Sequence, residues 1–417
     1  MTDSSPPPGR GFQLALLTLA GMAAAYSKVA LGPLQETMRI ALGLTDNQLA
    51  LLQGPALALP MLIGGVPLGL IVDRYSRVRL LFVLLVLILV GSVLTAKAGS
   101  FAALFAARSL VGFAVFAMVP PILSLLADLY PAAQRGRASM VMLIGQFAGW
   151  SATFAIGGML VTKFGSGPDA WRTAMLTLTA PLLVVVILSM LALREPPRSG
   201  LAIQNPSTKV SLAEFWRFRA LIAPVLGGKT LALIALAAIM IWTAPAFARA
   251  FALAPDRVGA IVAIAVPCGG LIGTIGGGLL ADFCQRTGGP RRTVFVVSLL
   301  ALLCVPAGLF AVVPQVGSAS VLLVASIAIL TAISVMAATL LIVVIPNEIR
   351  GVALGLLTGV GAFLSVGLSP LLVSSLSSVL GGPTALGKAL AAVSVGGALL
   401  CAAVFAFGRR YVPRGLP

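Results

Sequence analysis

Three basic residues fall where a cation is costly. Lys28, Arg108 and Lys229 each lie inside a long apolar run, and none of the eleven acidic residues shares their depth. A buried cation needs a counter-charge. A bound organic anion would supply one; so would helix carbonyl ends, or water reached by a long side chain. Gln53, Gln146, Trp150 and Trp242 are the polar or amphipathic groups in neighbouring apolar runs. With the three cations they form the candidate substrate-binding set, suited to an organic molecule of mixed polarity. The chain has no His, and Cys268, Cys284, Cys304 and Cys401 show no paired spacing. A zinc site, a His relay and a disulfide framework are disfavoured, and no metal or cofactor is expected. Proton coupling usually titrates an intramembrane carboxylate or His. Here only span-end acids such as Glu36 offer one.

These groups must be positioned by membrane-length helices. The 417 residues are 59% hydrophobic and 9% charged, where a soluble surface needs about a quarter charged. Apolar runs predict twelve spans, near 13–37, 48–72, 80–96, 100–127, 138–161, 173–193, 220–247, 258–281, 293–313, 319–345, 351–376 and 389–408. A short phrase recurs half a chain apart. Gly69-Leu-Ile-Val-Asp73-Arg74 returns as Gly278-Leu-Leu-Ala-Asp282, and Pro131-Ala-Ala-Gln-Arg135-Gly136 as Pro346-Asn-Glu-Ile-Arg350-Gly351. Duplicated halves of spans with matched polar loops are the organisation of a secondary transporter. The expected domains are a tail (1–12), a six-helix bundle (13–193), a linker (194–219), a second bundle (220–408) and a tail (409–417). In the linker, Leu212–Arg219 reads as a short interfacial helix or a tether. Gly269, Gly273 and Gly277, and likewise Gly351, Gly355 and Gly359, form small-residue stripes that let helices touch.

The net charge of +17 is an orientation signal. On these spans eighteen basic residues fall in one set of loops and seven in the other, which places both termini in the cytoplasm. No basic patch on a soluble face is present for nucleic acid.

The run Gly65-Val-Pro67-Leu-Gly69-Leu-Ile-Val-Asp73-Arg74-Tyr-Ser-Arg77-Val-Arg79 resembles the signature loop of the major facilitator superfamily. So do the intramembrane Arg in Leu104-Phe-Ala-Ala-Arg108-Ser-Leu-Val-Gly112 and the run Ala127-Asp128-Leu-Tyr-Pro131 with Arg135. The resemblance implies an all-α membrane protein of twelve helices in two halves, a transporter and no enzyme. It also implies a gate holding one side closed, in which Gly69, Asp73, Arg74, Arg77, Asp128, Arg135, Asp282 and Arg350 take part. Leu44-Thr-Asp-Asn-Gln48 with Gln53-Gly54-Pro55, and Trp242-Thr-Ala-Pro245, are similar to spinster-like transporters, a branch associated with lysolipids and sphingoid lipids. That branch usually carries an Asp-Arg pair in span one and a Glu in span four. Here Ser27-Lys28 and Val115 stand there. The exporter Gly-Pro signature of span five is absent.

The expected function is alternating-access transport, as a symporter or uniporter, of a small or amphipathic organic anion. Lysolipid transport and a transport-dead sensor are the alternatives. The expected setting is a bacterial inner membrane, with the bilayer and a small organic or lipid substrate as partners, and a monomeric state. With the native cysteines replaced, Asp3→Cys and Gly415→Cys should label only in permeabilised cells. Labelling of intact cells from outside would refute this topology.

Overall fold

The computed structural model describes residues 9–60, 75–165, 167–197, 219–344 and 347–412. Among these, helices occur and strands do not. Two compact units emerge. One runs to Leu201 and includes Ala254–Ala263; the other takes Ala202–Leu253 and Ile264–Pro417.

The first unit contains α1 (Arg10–Lys28), α2 (Gln35–Leu42), α3 (Asp46–Gln53), α4 (Arg77–Lys97), α5 (Phe101–Ala117), α6 (Val119–Leu129), α7 (Ala132–Phe164) and α8 (Ala170–Ala192). The second contains α9 (Arg219–Phe251), most of α10 (Pro255–Ala307), α11 (Val316–Val344), α12 (Asn347–Val379) and α13 (Leu386–Gly408). Nine helical stretches among the described residues are long and apolar enough to cross a membrane. One of them, Pro255–Ala311, has 57 residues, over twice what one crossing needs. It is broken at Gly289, whose φ of 63° only Gly adopts freely before Pro290 starts the next helix. Large aliphatic side chains stay exposed, among them Ile187, Met190 and Leu191 on α8 and Ile272, Ile275 and Leu279 on α10. Such faces suit lipid.

Three expected spans are broken; the second, expected over 48–72, turns at Gly54 between α3 and a helix that resumes at residue 55. The first, expected as one helix over 13–37, stops at Lys28; turns occupy 29–34, and α2 begins at Gln35. Pro33 has no amide to give a continuing helix. The fourth, expected over 100–127, divides at Met118. Pro120 and Pro121 explain the division. Neither can donate to the preceding turn, so both sit in the first turn of a new helix.

Close contacts at small residues order each unit. α1 and α7 run parallel in one register. A Cβ on Gly145 would lie 2.4 Å from Thr18, one on Gly149 2.6 Å from the Met22 carbonyl, and one on Gly157 2.3 Å from Pro33. Between them the Thr153 hydroxyl donates to the Tyr26 carbonyl at 3.0 Å. Further along α7, Gly158 meets the start of α10. Its added Cβ would lie 2.5 Å from the Pro255 carbonyl and 3.2 Å from the Gly259 Cα. Ser151 donates to the Ala263 carbonyl at 2.6 Å, and the Asp256 amide to the Thr162 hydroxyl. In the second unit the stripe expected at Gly269, Gly273 and Gly277 lies against Ile327, Ala328, Thr331 and Ala332 of α11. Gly359 faces open space; the surroundings of Gly351 and Gly355 lie outside the described ones.

Gly149→Leu should therefore wedge α1 from α7. Overpacking costs about 1–3 kcal/mol or more when backbone must move, so the melting temperature should fall by several degrees. Gly136→Leu, where nothing lies within 4 Å, should leave it nearly unchanged. Equal melting of both variants would refute the contact.

Candidate functional site

The first unit contains an open cavity of about 470 Å³. Gly21, Ala24, Ala25 and Lys28 of α1 line one side, spaced three or four apart as one helical face. Ser139, Met142, Leu143, Gln146 and Trp150 line another from α7, with the same periodicity. The broken span supplies the third: Val115 and Phe116 before the break, Met118 at it, and Val119, Ile122 and Leu123 after it. Three expected site residues, Lys28, Gln146 and Trp150, thus share one cavity. The Lys28 ammonium lies 5.3 Å from the centre of the Phe116 ring, a cation–π distance. No carboxylate among the described residues pairs with it. Trp150 packs edge-on against Phe147, and its indole N–H has no acceptor among the described residues. Phe116 was not foreseen; it is an apolar residue in an apolar run, with nothing in the sequence to set it apart.

The other four candidates lie elsewhere. Arg108 is wholly buried, and its terminal nitrogens donate to the Ser27 carbonyl at 3.3 Å and the Lys28 carbonyl at 2.7 Å. It holds the last carbonyls of α1, which the helix itself leaves unpaired, and does not line the cavity. Its counter-charge is the negative end of a helix. Gln53 donates to Gln35 at 2.5 Å, and both amides are buried. Trp242, buried in the second unit, donates to the Pro370 carbonyl at 3.2 Å. Lys229, half-buried on α9, has no ion-pair partner among the described residues.

Part of the expected gate forms an ion-pair cluster at the start of α4. Arg77, 3% exposed, donates to Asp128 and to Ser124 of α6. Its Nε donates to Glu195 at 2.8 Å. Glu195 also accepts from the Ser76 hydroxyl at 2.7 Å and the Val78 amide at 3.0 Å. Burial alone would raise the Glu195 carboxyl; these three donors outweigh it and hold it below the usual carboxylate range. Glu195 therefore adds stability above its ordinary pKa, and that part is lost as pH falls through the depressed value. It stands in Arg194-Glu195-Pro196-Pro197, where it reads as the start of a linker; the acid among basic and Pro residues was the only signal. Arg135 spends its guanidinium on the carbonyls of Tyr130 and Ala127, closing α6. Asp282 is exposed on α10, with no ion-pair partner among the described residues. Gly69, Asp73 and Arg74 lie outside the described residues, as do Arg198–Phe218 of the linker and the Arg350 side chain.

The long apolar helices, with their exposed aliphatic faces, define a multi-pass membrane protein with an open cavity in its first unit. The model of the Major Facilitator Superfamily matches residues 17–370, and the chain belongs to that family: it is a transporter, not an enzyme. No curated protein is a significant sequence match. Among solved structures, a bacterial homologue of the human lysosomal transporter Spinster, inward-facing and unoccupied, is 18% identical. It superposes with a TM-score of 0.80 over 98% of this chain and 97% of its own. The nucleoside transporter NupG is 15% identical, with a TM-score of 0.74 over 95% and 100% of the two chains. A D-xylose–proton symporter is 17% identical, with a TM-score of 0.71 over 97% and 98%. At such identities the likeness shows a shared fold.

The cluster predicts unequal losses. Asp128→Asn leaves a buried arginine short of its closest charge and should cost about 3 kcal/mol or more. Glu195→Gln, at a half-exposed acid, should cost about 1 kcal/mol and flatten the acid-side loss of stability. Melting of both variants at pH 7 and pH 4 checks this; equal losses at both pH values would contradict it.

Proposed function

We propose that this transporter moves a small or amphipathic organic anion by alternating access, with the anion held at Lys28. One observation carries the reading. The ammonium enters a largely apolar cavity, rests against Phe116 and meets no carboxylate among the described residues. A cation at membrane depth costs about 2.5–3.5 kcal/mol on insertion scales, and a bound anion would offset that. Gln146, Ser139 and Trp150 supply the remaining polar groups. The rocking bodies are taken as residues 1–193 and 220–417, joined by 194–219, with both termini cytoplasmic in a bacterial inner membrane. The Arg77–Asp128–Glu195 cluster belongs to the gate in this reading, together with Asp73 and its repeat Asp282.

A second reading, lysolipid transport of the spinster type, draws on the Spinster-homologue fold and on the apolar cavity wall. The two separate in a thermal-shift screen of organic anions against lysolipids. For the anion that shifts melting most, Lys28→Gln should reduce uptake into proteoliposomes tenfold or more at subsaturating substrate, the value of one charge-assisted hydrogen bond. Lys28→Arg should keep part of it, since nothing there demands a forked donor. Normal uptake by Lys28→Gln would end the anion reading.

A further inference from the structure

The second unit gathers four arginines at one end, and no carboxylate among the described residues pairs with them. α10 breaks at Gly289, and its two arms are tied there: Gln285 donates to the Thr293 hydroxyl at 3.0 Å. The end of α13 lies against the arm that starts at Pro290. Arg291 donates through Nε to the Val412 carbonyl at 2.7 Å, and the Arg409 guanidinium lies 5.2 Å from the centre of the Phe295 ring. Arg292 lies 4.9 Å from the Phe283 ring, its stem so near Gly288 that a Cβ added there would meet its Cδ at 2.8 Å. Arg410 lies 5.6 Å from the Phe407 ring. An orientation signal needs only the number of such arginines; it does not explain how they are seated. Three guanidiniums rest on rings that are themselves about half exposed. A ring holds the planar fork by its face and leaves the N–H edges free for an acceptor. Beyond the arginines each helix shows an apolar stripe. Phe295, Leu299 and Leu302 share one exposed face of α10, and Leu400, Ala403 and Phe407 one exposed face of α13. Both stripes run away from the arginine end.

We propose that the α10–α13 end is a binding site for an anionic diacyl phospholipid of the surrounding bilayer. Arg292, Arg409 and Arg410 hold its phosphate, which accepts from two N–H edges of a guanidinium at once. Arg291 adds charge beside them, and the acyl chains lie along the two stripes. Basic pockets between helix ends suit such headgroups. The lipid is a resident of this surface and is not cargo, so the inference stands apart from either reading of the first-unit cavity. Seated there, it clips the elbow at Gly289 to the end of α13.

Native mass spectrometry of the purified full chain in detergent tests this. It compares dioleoyl phosphatidylglycerol with dioleoyl phosphatidylcholine, which has the same chains and no net charge. Phosphatidylglycerol should bind at least tenfold tighter. Arg292→Gln, Arg409→Gln and Arg410→Gln should each weaken it about fivefold, and the triple Gln variant should show no preference between the two lipids. All three positions are exposed, so the fold should persist, and unchanged phosphatidylcholine binding checks that it does. A triple Lys variant, which keeps the charge, should retain most of the preference. The control is Arg79→Gln with Arg137→Gln, two exposed basic residues of the first unit; it should keep the preference intact. Glycerol 3-phosphate in hundredfold excess should fail to displace the lipid. The proposal is overturned if phosphatidylcholine binds as tightly as phosphatidylglycerol, or if the control loses as much preference as the triple Gln variant. It is overturned equally if glycerol 3-phosphate displaces the lipid, since the site would then take a free phosphate and the stripes would hold nothing.

Discussion

A helix inside a membrane can stop only where something takes its last carbonyls, because lipid offers no donors. Much of the first unit follows from that constraint. Arginine is the device used. Arg108 takes the end of α1, Arg135 the end of α6, and Arg172 the carbonyls of Ala96 and Ala98 at the end of α4, at 2.8 and 2.7 Å. Each guanidinium has planar, fixed donors and a charge that complements the negative end of the helix. The end of α1 thereby stays within an apolar body and the chain can turn there, while Arg135 and Arg172 close their helices at the loops.

Because α1 ends at Lys28 on a satisfied set of carbonyls, the Lys28 ammonium is not needed to cap it. Its charge projects past the helix end towards Phe116. The proline pair after Met118 bends the neighbouring span at the same level and turns Phe116, Val119 and Leu123 onto one wall. The glycine contacts of α1 with α7 fix the third wall. Cation, aromatic ring and apolar face thus follow from two helix breaks and one close packing of backbones.

The span boundaries were legible because lipid imposes a length on every apolar run: α8 spans Ala170–Ala192 against an expected 173–193, and α11 Val316–Val344 against 319–345. The breaks were not legible. Hydropathy is blind to Pro120 and Pro121, since both sit in an unbroken apolar window. Depth alone also misjudged Arg108. Carbonyls leave no trace in a sequence, so a cation serving them looks like a cation awaiting a ligand. Lys28, Gln146 and Trp150 do share a cavity. Gln53 and Trp242 satisfy their neighbours instead, as buried polar groups mostly do.

The α1–α7 contact also distributes stiffness. Where Gly149 meets the Met22 carbonyl, Gly145 the Thr18 methyl and Gly157 the Pro33 ring just past α1, there are few rotamers to yield, and the pair behaves as one rod. The α5–α6 wall has the opposite character. At Met118 the hydrogen-bond ladder is interrupted by two residues that cannot donate, so bending there breaks few bonds. Compliance is concentrated in the wall that carries Phe116 and Leu123. A molecule lying against that wall leans on the softest joint of the unit, and strain it exerts passes first into the break between α5 and α6.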